Sequence, residues 1–128
     1  MRAYDFSTAW SAEGTPATEA TVSLANNQSA TNLTGVSFDN TVSRGGIVEM
    51  YIRRKTDSSE RNCHRILKVS YDTTATAWRI DEDTEDNNGT ASGVTLSLSG
   101  GQVQYATDNQ AGSNYVGLAS IAIRRFNA

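Results

Sequence analysis

The acidic run from Asp81 to Gly89 holds a dense group of side chains that could ligate a metal ion. It places five carboxylates within positions 81–86 and ends in the turn-forming sequence Asn-Asn-Gly. In an extended segment Asp83, Glu85 and Asn87 point to the same side, where their oxygens could bind calcium. They would lie along a line instead of around an ion, and the spacing of an EF-hand loop is absent. We therefore predict no metal and no cofactor and interpret the run as a solvated connection between strands, with a metal site at these three candidate residues as the alternative.

Cys63 and His64 are the only cysteine and the only histidine of the chain, and they are adjacent. A thiol and an imidazole could form a nucleophile and its general base if their side chains converged. Adjacent residues of a strand point to opposite faces of the sheet, so this spacing separates the pair. We predict a buried Cys63, an exposed His64, no catalytic residue and no enzymatic activity.

The charge of the whole chain disfavours two classes of partner. The formal net charge is −3 over 128 residues, so the chain as a whole lacks the basic character that nucleic acid or an anionic membrane attracts. The start, Met1 to Phe6, contains no apolar stretch of the kind found in a secretory signal peptide. We expect synthesis in a cytoplasm without a signal peptide, no nucleic-acid partner and no membrane partner.

Basic and acidic residues are segregated along the sequence. Seven of the eleven basic residues lie between Arg44 and Lys68, whereas five acids crowd positions 81–86. In a protein that self-associates, the acidic patch of one copy could meet the basic patch of the next, with pairing inside one chain as the alternative. The candidates for charged contacts between subunits are Arg53, Arg54, Lys55, Asp81, Asp83, Glu85 and Asp86.

Apolar residues alternate with polar ones in short runs bounded by Gly, Asn, Asp and Ser, which is typical of β-strands. The clearest pair is Ile47–Thr56 and the return run 63–71, joined by the turn sequence Asp57-Ser58-Ser59-Glu60, which predicts a long antiparallel hairpin. Further runs cover 19–25, 33–38, 78–80, 94–98, 103–105 and 115–126. About eight strands predict an all-β fold, an antiparallel β-sandwich of jelly-roll or Greek-key type.

Residues 1–18 differ from the β-sandwich domain predicted for residues 19–128. They contain the sole proline, Pro16, and we interpret them as an irregular N-terminal arm. Three aromatic residues in the arm, Tyr4, Phe6 and Trp10, need a surface on which to bury their apolar area. That surface is either the domain's own core or a neighbouring copy, and we predict that these residues anchor the protein in an assembly.

Several segments resemble, in order, a domain found in many virion proteins of tailed phages. The similarity covers roughly residues 19–128, and its distinctive parts are turns and strand ends distributed along the chain. They are Ser23–Ala30, Leu33–Asp39, Val48–Arg54, Thr56–Glu60, Trp78–Ile80, Gly93–Ser97, Gly101–Tyr105 and Ile121–Arg125. The resemblance implies a β-sandwich with a role in assembly or surface binding, and it implies no catalytic motif.

Two functions follow from this resemblance. The leading hypothesis is a structural protein of the virion, a capsid decoration or cement component that binds capsid or tail proteins and further copies of itself as a homo-oligomer. The alternative is a receptor- or carbohydrate-binding module of tail-fibre type that recognises a host-surface glycan. In that case sugar rings would stack on exposed aromatic residues, for which Trp10, Tyr51, Tyr105 and Tyr115 are the candidates.

Overall fold

A computed structural model describes residues 19–127, which form nine β-strands and no helix. The strands are β1 Ala20–Ser23, β2 Thr31–Ser37, β3 Ser43–Lys55, β4 Glu60–Asp72, β5 Ala77–Glu82, β6 Asp86–Asn87, β7 Val94–Ser99, β8 Gln102–Thr107 and β9 Val116–Asn127. Eight of them match the predicted runs, and β6 is the addition. The predicted arm lies outside the described residues.

Two antiparallel sheets build the domain. The larger sheet has the strand order β1-β9-β3-β4-β5, and β6 pairs with β4 beyond the end of β5. The smaller sheet has the order β2-β8-β7. Every strand pair is antiparallel, which confirms the predicted all-β sandwich. In the described part of the chain, no helix is long and apolar enough to cross a membrane.

The hairpin of β3 and β4 forms the centre of the larger sheet, as predicted. Its register pairs Ile52 with Cys63 and Tyr51 with His64. Because side chains alternate between the two faces, Ile52 and Cys63 point into the sandwich and are buried, whereas Tyr51 and His64 point outward. The turn closes with a bond from the Thr56 amide to the Ser59 carbonyl, at 2.9 Å.

A single apolar core lies between the sheets. The larger sheet contributes Val48 and Leu67, and the smaller sheet contributes Leu33 and Val103, all at most 1% exposed. Burying a side chain of this size stabilises the fold by roughly 1.5–3 kcal/mol. At one end of the core, the Trp78 ring packs against Phe38 with ring centroids 5.7 Å apart.

The turn between β7 and β8 requires a close backbone approach. Phe38 donates its amide to the carbonyl of Gly101 at 2.8 Å. A Cβ atom on Gly101 would lie 2.0 Å from the Phe38 carbonyl oxygen, so any side chain there would force the two segments apart. This contact holds the smaller sheet against the segment that leads into β3.

Candidate functional site

The outer face of the larger sheet presents an aromatic pair to solvent. Tyr51 and His64 are cross-strand neighbours, and their ring centroids are 4.9 Å apart at an interplanar angle of 51°. Tyr51 remains 38% exposed although it lies in the middle of a central strand. The position follows from alternation, because the neighbours Met50 and Ile52 fill the core from the opposite face.

A cleft of about 290 Å³ opens beside this pair. Strand β6 forms one side of it, because Asp86 pairs with His64 across the sheet. Asn88 continues that side, donating its backbone amide to the Asn62 carbonyl at 3.1 Å. The lining comprises Tyr51, Asn62, Cys63, His64, Asp86, Asn87 and Asn88. An aromatic ring therefore lies next to one carboxylate and three asparagine residues, whose side-chain nitrogens donate to acceptors of their own chain.

Asn62 lines this cleft and is held by its own chain. Its side-chain nitrogen donates to Glu60 Oε2 at 2.9 Å, and this hydrogen bond is the largest cause of the lowered pKa of Glu60. Its side-chain oxygen is buried and has no hydrogen-bond partner among residues 19–127, which is uncommon for a buried acceptor.

Cys63 and His64 lie on opposite faces of β4, as predicted. The thiol is 1% exposed inside the sandwich, and burial raises its pKa above the ordinary value. A protonated, enclosed thiol is a poor nucleophile. His64 projects from the other face of the sheet, so the two side chains do not converge.

The metal candidates of the acidic run face basic side chains. Asp83 lies 3.4 Å from the Lys68 ammonium group, and Glu85 lies 3.1 Å from the Arg65 guanidinium. Asn87 donates its side-chain amide to Glu85 at 3.0 Å. Among residues 19–127, no group of three or more His, Cys, Asp and Glu side chains could hold a metal ion. The run pairs with the basic hairpin of its own chain, which was the alternative to pairing between subunits.

Arg65 is buried like Arg54, but no role was predicted for it from the sequence. It is 6% exposed, forms ion pairs with Glu82 and Glu85, and donates to the Val94 carbonyl at 2.9 Å. Burial by itself would lower its pKa, but the bond to Glu82 and the charges of both glutamates raise it. For the acid Glu85, burial would raise the pKa. The hydrogen bonds from Ser92 and the charge of Arg65 outweigh this and lower the pKa of Glu85.

Arg54 was predicted to contact another subunit, and this prediction is wrong. Its side chain is fully buried and its guanidinium donates to four residues of its own chain. The acceptors are the Ser92 carbonyl at 2.6 Å, Asn26 Oδ1 at 2.9 Å, Tyr115 Oη at 3.1 Å, and both a carboxylate and a backbone oxygen of Asp108 at 2.8 Å. A charged group on an inward position of β3 is thereby fully hydrogen-bonded.

Asp108 shares its carboxylate between two arginines. Arg61 approaches it to 3.1 Å from the surface, in addition to the buried Arg54. Burial would raise the pKa of Asp108, but the hydrogen bonds from the two arginines lower it. Gly93 makes room for this carboxylate, since a Cβ atom there would lie 2.2 Å from Asp108 Oδ1 and the glycine has a φ of +76°.

The remaining candidates divide between the surface and the interior. The charged side chains of Arg53, Lys55, Asp81, Asp83 and Asp86 are exposed, so their role between subunits stays a prediction. Glu85 is instead engaged with Arg65 inside its own chain.

Of the aromatic candidates, Tyr105 is 6% exposed and its hydroxyl accepts a bond from the Ala25 amide, so the prediction that it stacks on sugars is wrong. Tyr115 is half-buried against Arg54. Tyr51 alone among the candidates in residues 19–127 presents an exposed ring. The predicted anchors Tyr4, Phe6 and Trp10 lie outside the described residues.

The polar part of the cleft was missed because its residues come from separate short segments. Asn62 lies on β4, whereas Asp86, Asn87 and Asn88 belong to the run that we interpreted as a connection. A two-residue strand such as β6 is too short to show alternation. The Asn-Asn-Gly sequence was the available signal, and it correctly marks a turn, with Gly89 at a φ of +104°.

Comparisons with known proteins yield a partial structural likeness. No family model matches the chain, and a search of curated proteins finds no relative. Among solved structures, the tailspike protein of Acinetobacter phage vB_ApiP_P1 is similar to 85% of this chain, with a TM-score of 0.49 and 16% sequence identity. The chain spans about a fifth of that tailspike, 21% of its length. This likeness is too low to support an assignment of function.

Proposed function

We propose that the protein is a carbohydrate-binding domain of tail-fibre type on a phage virion, which recognises a host-surface glycan without enzymatic activity. The observation that carries the proposal is the cleft on the outer face of the larger sheet. There the exposed Tyr51 ring adjoins His64, and Asp86 and asparagine residues complete the lining. The phage context rests on the sequence resemblance of residues 19–128.

The side chains in the cleft match the chemistry of a sugar. A pyranose presents an apolar face of C–H groups and a rim of hydroxyls, so it binds where an aromatic ring lies beside hydrogen-bonding groups. Tyr51 supplies the ring, and the exposed carboxylate of Asp86 supplies an acceptor. A cleft of about 290 Å³ is the size of a small ligand site, so we expect one or two sugar residues to bind there.

The site is held in place before a ligand arrives. Tyr51 and His64 lie on two 13-residue strands at the centre of the larger sheet. Two hydrogen bonds fix Asn88 to β4. Its backbone amide donates to the Asn62 carbonyl, and its side chain donates to the Glu60 carbonyl at 3.2 Å. Binding therefore orders few side chains, which lowers its entropic cost.

A glycan array with the full chain, followed by calorimetry on the best ligand, tests this proposal. We expect Tyr51→Ala to weaken binding by about tenfold or more, because the stacking surface is lost. Phe126→Ala is the matched control, since Phe126 is 42% exposed on β9 of the same sheet and lies outside the cleft. A blank array, or equal affinities of the two variants, would contradict the proposal.

A second candidate is a decoration or cement role through protein–protein assembly, with the protein packed against capsid or tail proteins or other copies. It is favoured by the charges on the outer surface of the larger sheet. Arg53 and Lys55 are exposed on β3, and Asp81 and Asp86 are exposed on β5 and β6. Two copies could bring opposite charges together, which would set their orientation.

Sedimentation of the full chain at low and high salt tests this second candidate. We expect an oligomer at low salt that dissociates at high salt, and weaker association in the Arg53→Glu/Lys55→Glu variant. Adding Asp81→Lys and Asp86→Lys to that variant would restore opposite charges and association. A monomer at every salt and protein concentration would remove the homo-oligomer from the candidate.

A further inference from the structure

A second, apolar opening lies on the other side of the larger sheet, independent of the proposed glycan site. The smaller sheet leaves part of the inner face uncovered, and a groove of about 300 Å³ runs between β2 on one side and β1 and β9 on the other. Its apolar lining includes Val22, Val36, Ile121 and Ile123. Val36 and Ile121 also belong to the core, so the groove extends the core to the surface.

A free strand edge adjoins this groove. Strand β9 pairs with β3 along its length, but β1 covers only Leu118–Ile121 on the other edge. Within residues 19–127, no strand pairs with that edge from Ala122 to Asn127. An edge of six residues with free amides and carbonyls is a template for an added strand.

The sequence that precedes β1 contains a segment suited to this edge. Tyr4, Phe6, Thr8 and Trp10 occupy alternate positions, so a strand over residues 4–10 would place all three aromatic rings on one face. The segment carries one acid, Asp5, and no base, whereas the free edge of β9 carries Arg124; the neighbouring Arg125 donates to the Ser37 carbonyl at the rim of the groove. Aromatic area and charge both complement the groove and its rim.

We propose that residues 4–10 add as a strand to the free edge of β9 in their own chain and bury their aromatic side chains in the groove. Nine residues, 11–19, connect this segment to β1, and Ala20 at the start of β1 itself lines the groove. A connection this short gives an effective concentration of the order of millimolar, which favours the segment of the same chain.

A simple continuation of β1 is the less favourable way to cover the edge. Ala20 pairs with Ile121, so continuing the same register would place Pro16 opposite Arg125. Proline has no amide hydrogen to donate to the ladder, and an edge strand tolerates it only where its nitrogen faces away from the neighbouring strand. Residues 11–19 therefore serve as the connection, with Gly14 and Pro16 suited to a turn, and residues 4–10 supply the strand.

Amide hydrogen exchange on the full chain tests the added strand. We expect the Tyr4→Ser/Phe6→Ser/Trp10→Ser variant to exchange the β9 amides between Ala122 and Asn127 that face the free edge at least about tenfold faster than the parent protein. The control is Ala3→Ser/Ala9→Ser, which changes the opposite parity and leaves exchange unaltered. Equal exchange in the parent and the aromatic variant would overturn the proposal.

Fluorescence of Trp10 in a Trp78→Phe background tests the groove itself. Ile123→Asn, in the groove, should shift the emission of Trp10 to longer wavelength, whereas Ile66→Asn, equally half-buried on the outer face, should leave it unchanged. No shift with Ile123→Asn would overturn the groove as the binding site.

Light scattering distinguishes binding within one chain from binding between two copies. We expect a monomer. A dimer with protected β9 amides would overturn the proposal, because residues 4–10 would then bind the β9 edge of a second copy. None of these variants lies in the glycan cleft, so the two proposals fail separately.

Discussion

The two faces of the β3–β4 hairpin differ in the burial and hydrogen bonding of their polar side chains. On the inner face, Arg54 and Arg65 are buried, and their guanidinium groups donate to carboxylate and carbonyl oxygens of distant segments. On the outer face, Tyr51 and His64 pack against each other and remain exposed. Buried groups whose hydrogen bonds are satisfied specify the fold, whereas exposed side chains such as Tyr51 can still contact a ligand.

The largest effect should come from Arg54. Arg54→Ala removes a buried guanidinium, leaves the Ser92 carbonyl without its donor, and takes one donor each from Asp108 and Asn26. We expect a loss of about 3–5 kcal/mol in the free energy of unfolding, measured by urea denaturation. The adjacent Arg53→Ala, whose side chain is exposed, should change it by less than about 0.5 kcal/mol. Similar losses in the two variants would erase the distinction between the faces.

A smaller loss is expected at Gly93. Gly93→Ala would place its Cβ 2.2 Å from the Asp108 carboxylate that receives Arg54, at a φ that disfavours side chains. We expect about 1–3 kcal/mol less stability, because the carboxylate must move away from its arginines. Gly100→Ala is the control, since it has a positive φ of +60° but nothing within 4 Å of the added atom. If Gly100→Ala lost as much stability as Gly93→Ala, backbone strain alone would explain the loss at Gly93.

The inner ion pairs should make stability depend on acidic pH. The pKa values of Glu85 and Asp108 are lowered in the folded chain from ordinary values of 4.5 and 3.8. Their contribution is therefore complete above about pH 5 and is lost as the pH falls through the lower folded-state values. Urea unfolding at pH 6 and pH 3 should show a smaller difference for Glu85→Gln than for the parent. Asp81→Asn, which changes an exposed carboxylate, should keep the parent's difference.

The smallest effect on stability should come from the outer pair. Tyr51→Ala and His64→Ala remove side chains that lie outside the core, so we expect the midpoint of thermal unfolding to fall by no more than a few degrees. A large fall would mean that the pair is structural, and its exposure would no longer point to binding.

Much of the fold could be predicted from alternation alone. The apolar positions of β3 and β4 identify the hairpin, its turn and the opposite placement of Cys63 and His64, because a strand has only two faces. The same rule placed Tyr51 outside. Alternation also placed Arg54 on the inward face of β3, together with Met50 and Ile52. The charge of Arg54 led us to predict a surface contact instead. Alternation was the better guide because partners from distant segments neutralise the buried charge.

The candidate site was less predictable. Tyr51 was among the residues proposed for sugar stacking, but its polar neighbours were not. Asp86, Asn87 and Asn88 reach the cleft because β6 continues along β4 beyond the end of β5, with the register shifted by one residue. A shift of this kind depends on contacts with the rest of the sheet, and residue type alone does not specify it.

The sequence by itself determined the all-β class, the central hairpin and the face on which each of its residues lies, since these depend on local alternation. Only the tertiary structure decided which charges meet. Arg54 reaches Asp108 across 54 positions of the chain, and Arg65 reaches Glu82 and Glu85 from a neighbouring segment. It also decided where the two openings lie, because a cleft or a groove exists only where separate strands pack without filling the space between them.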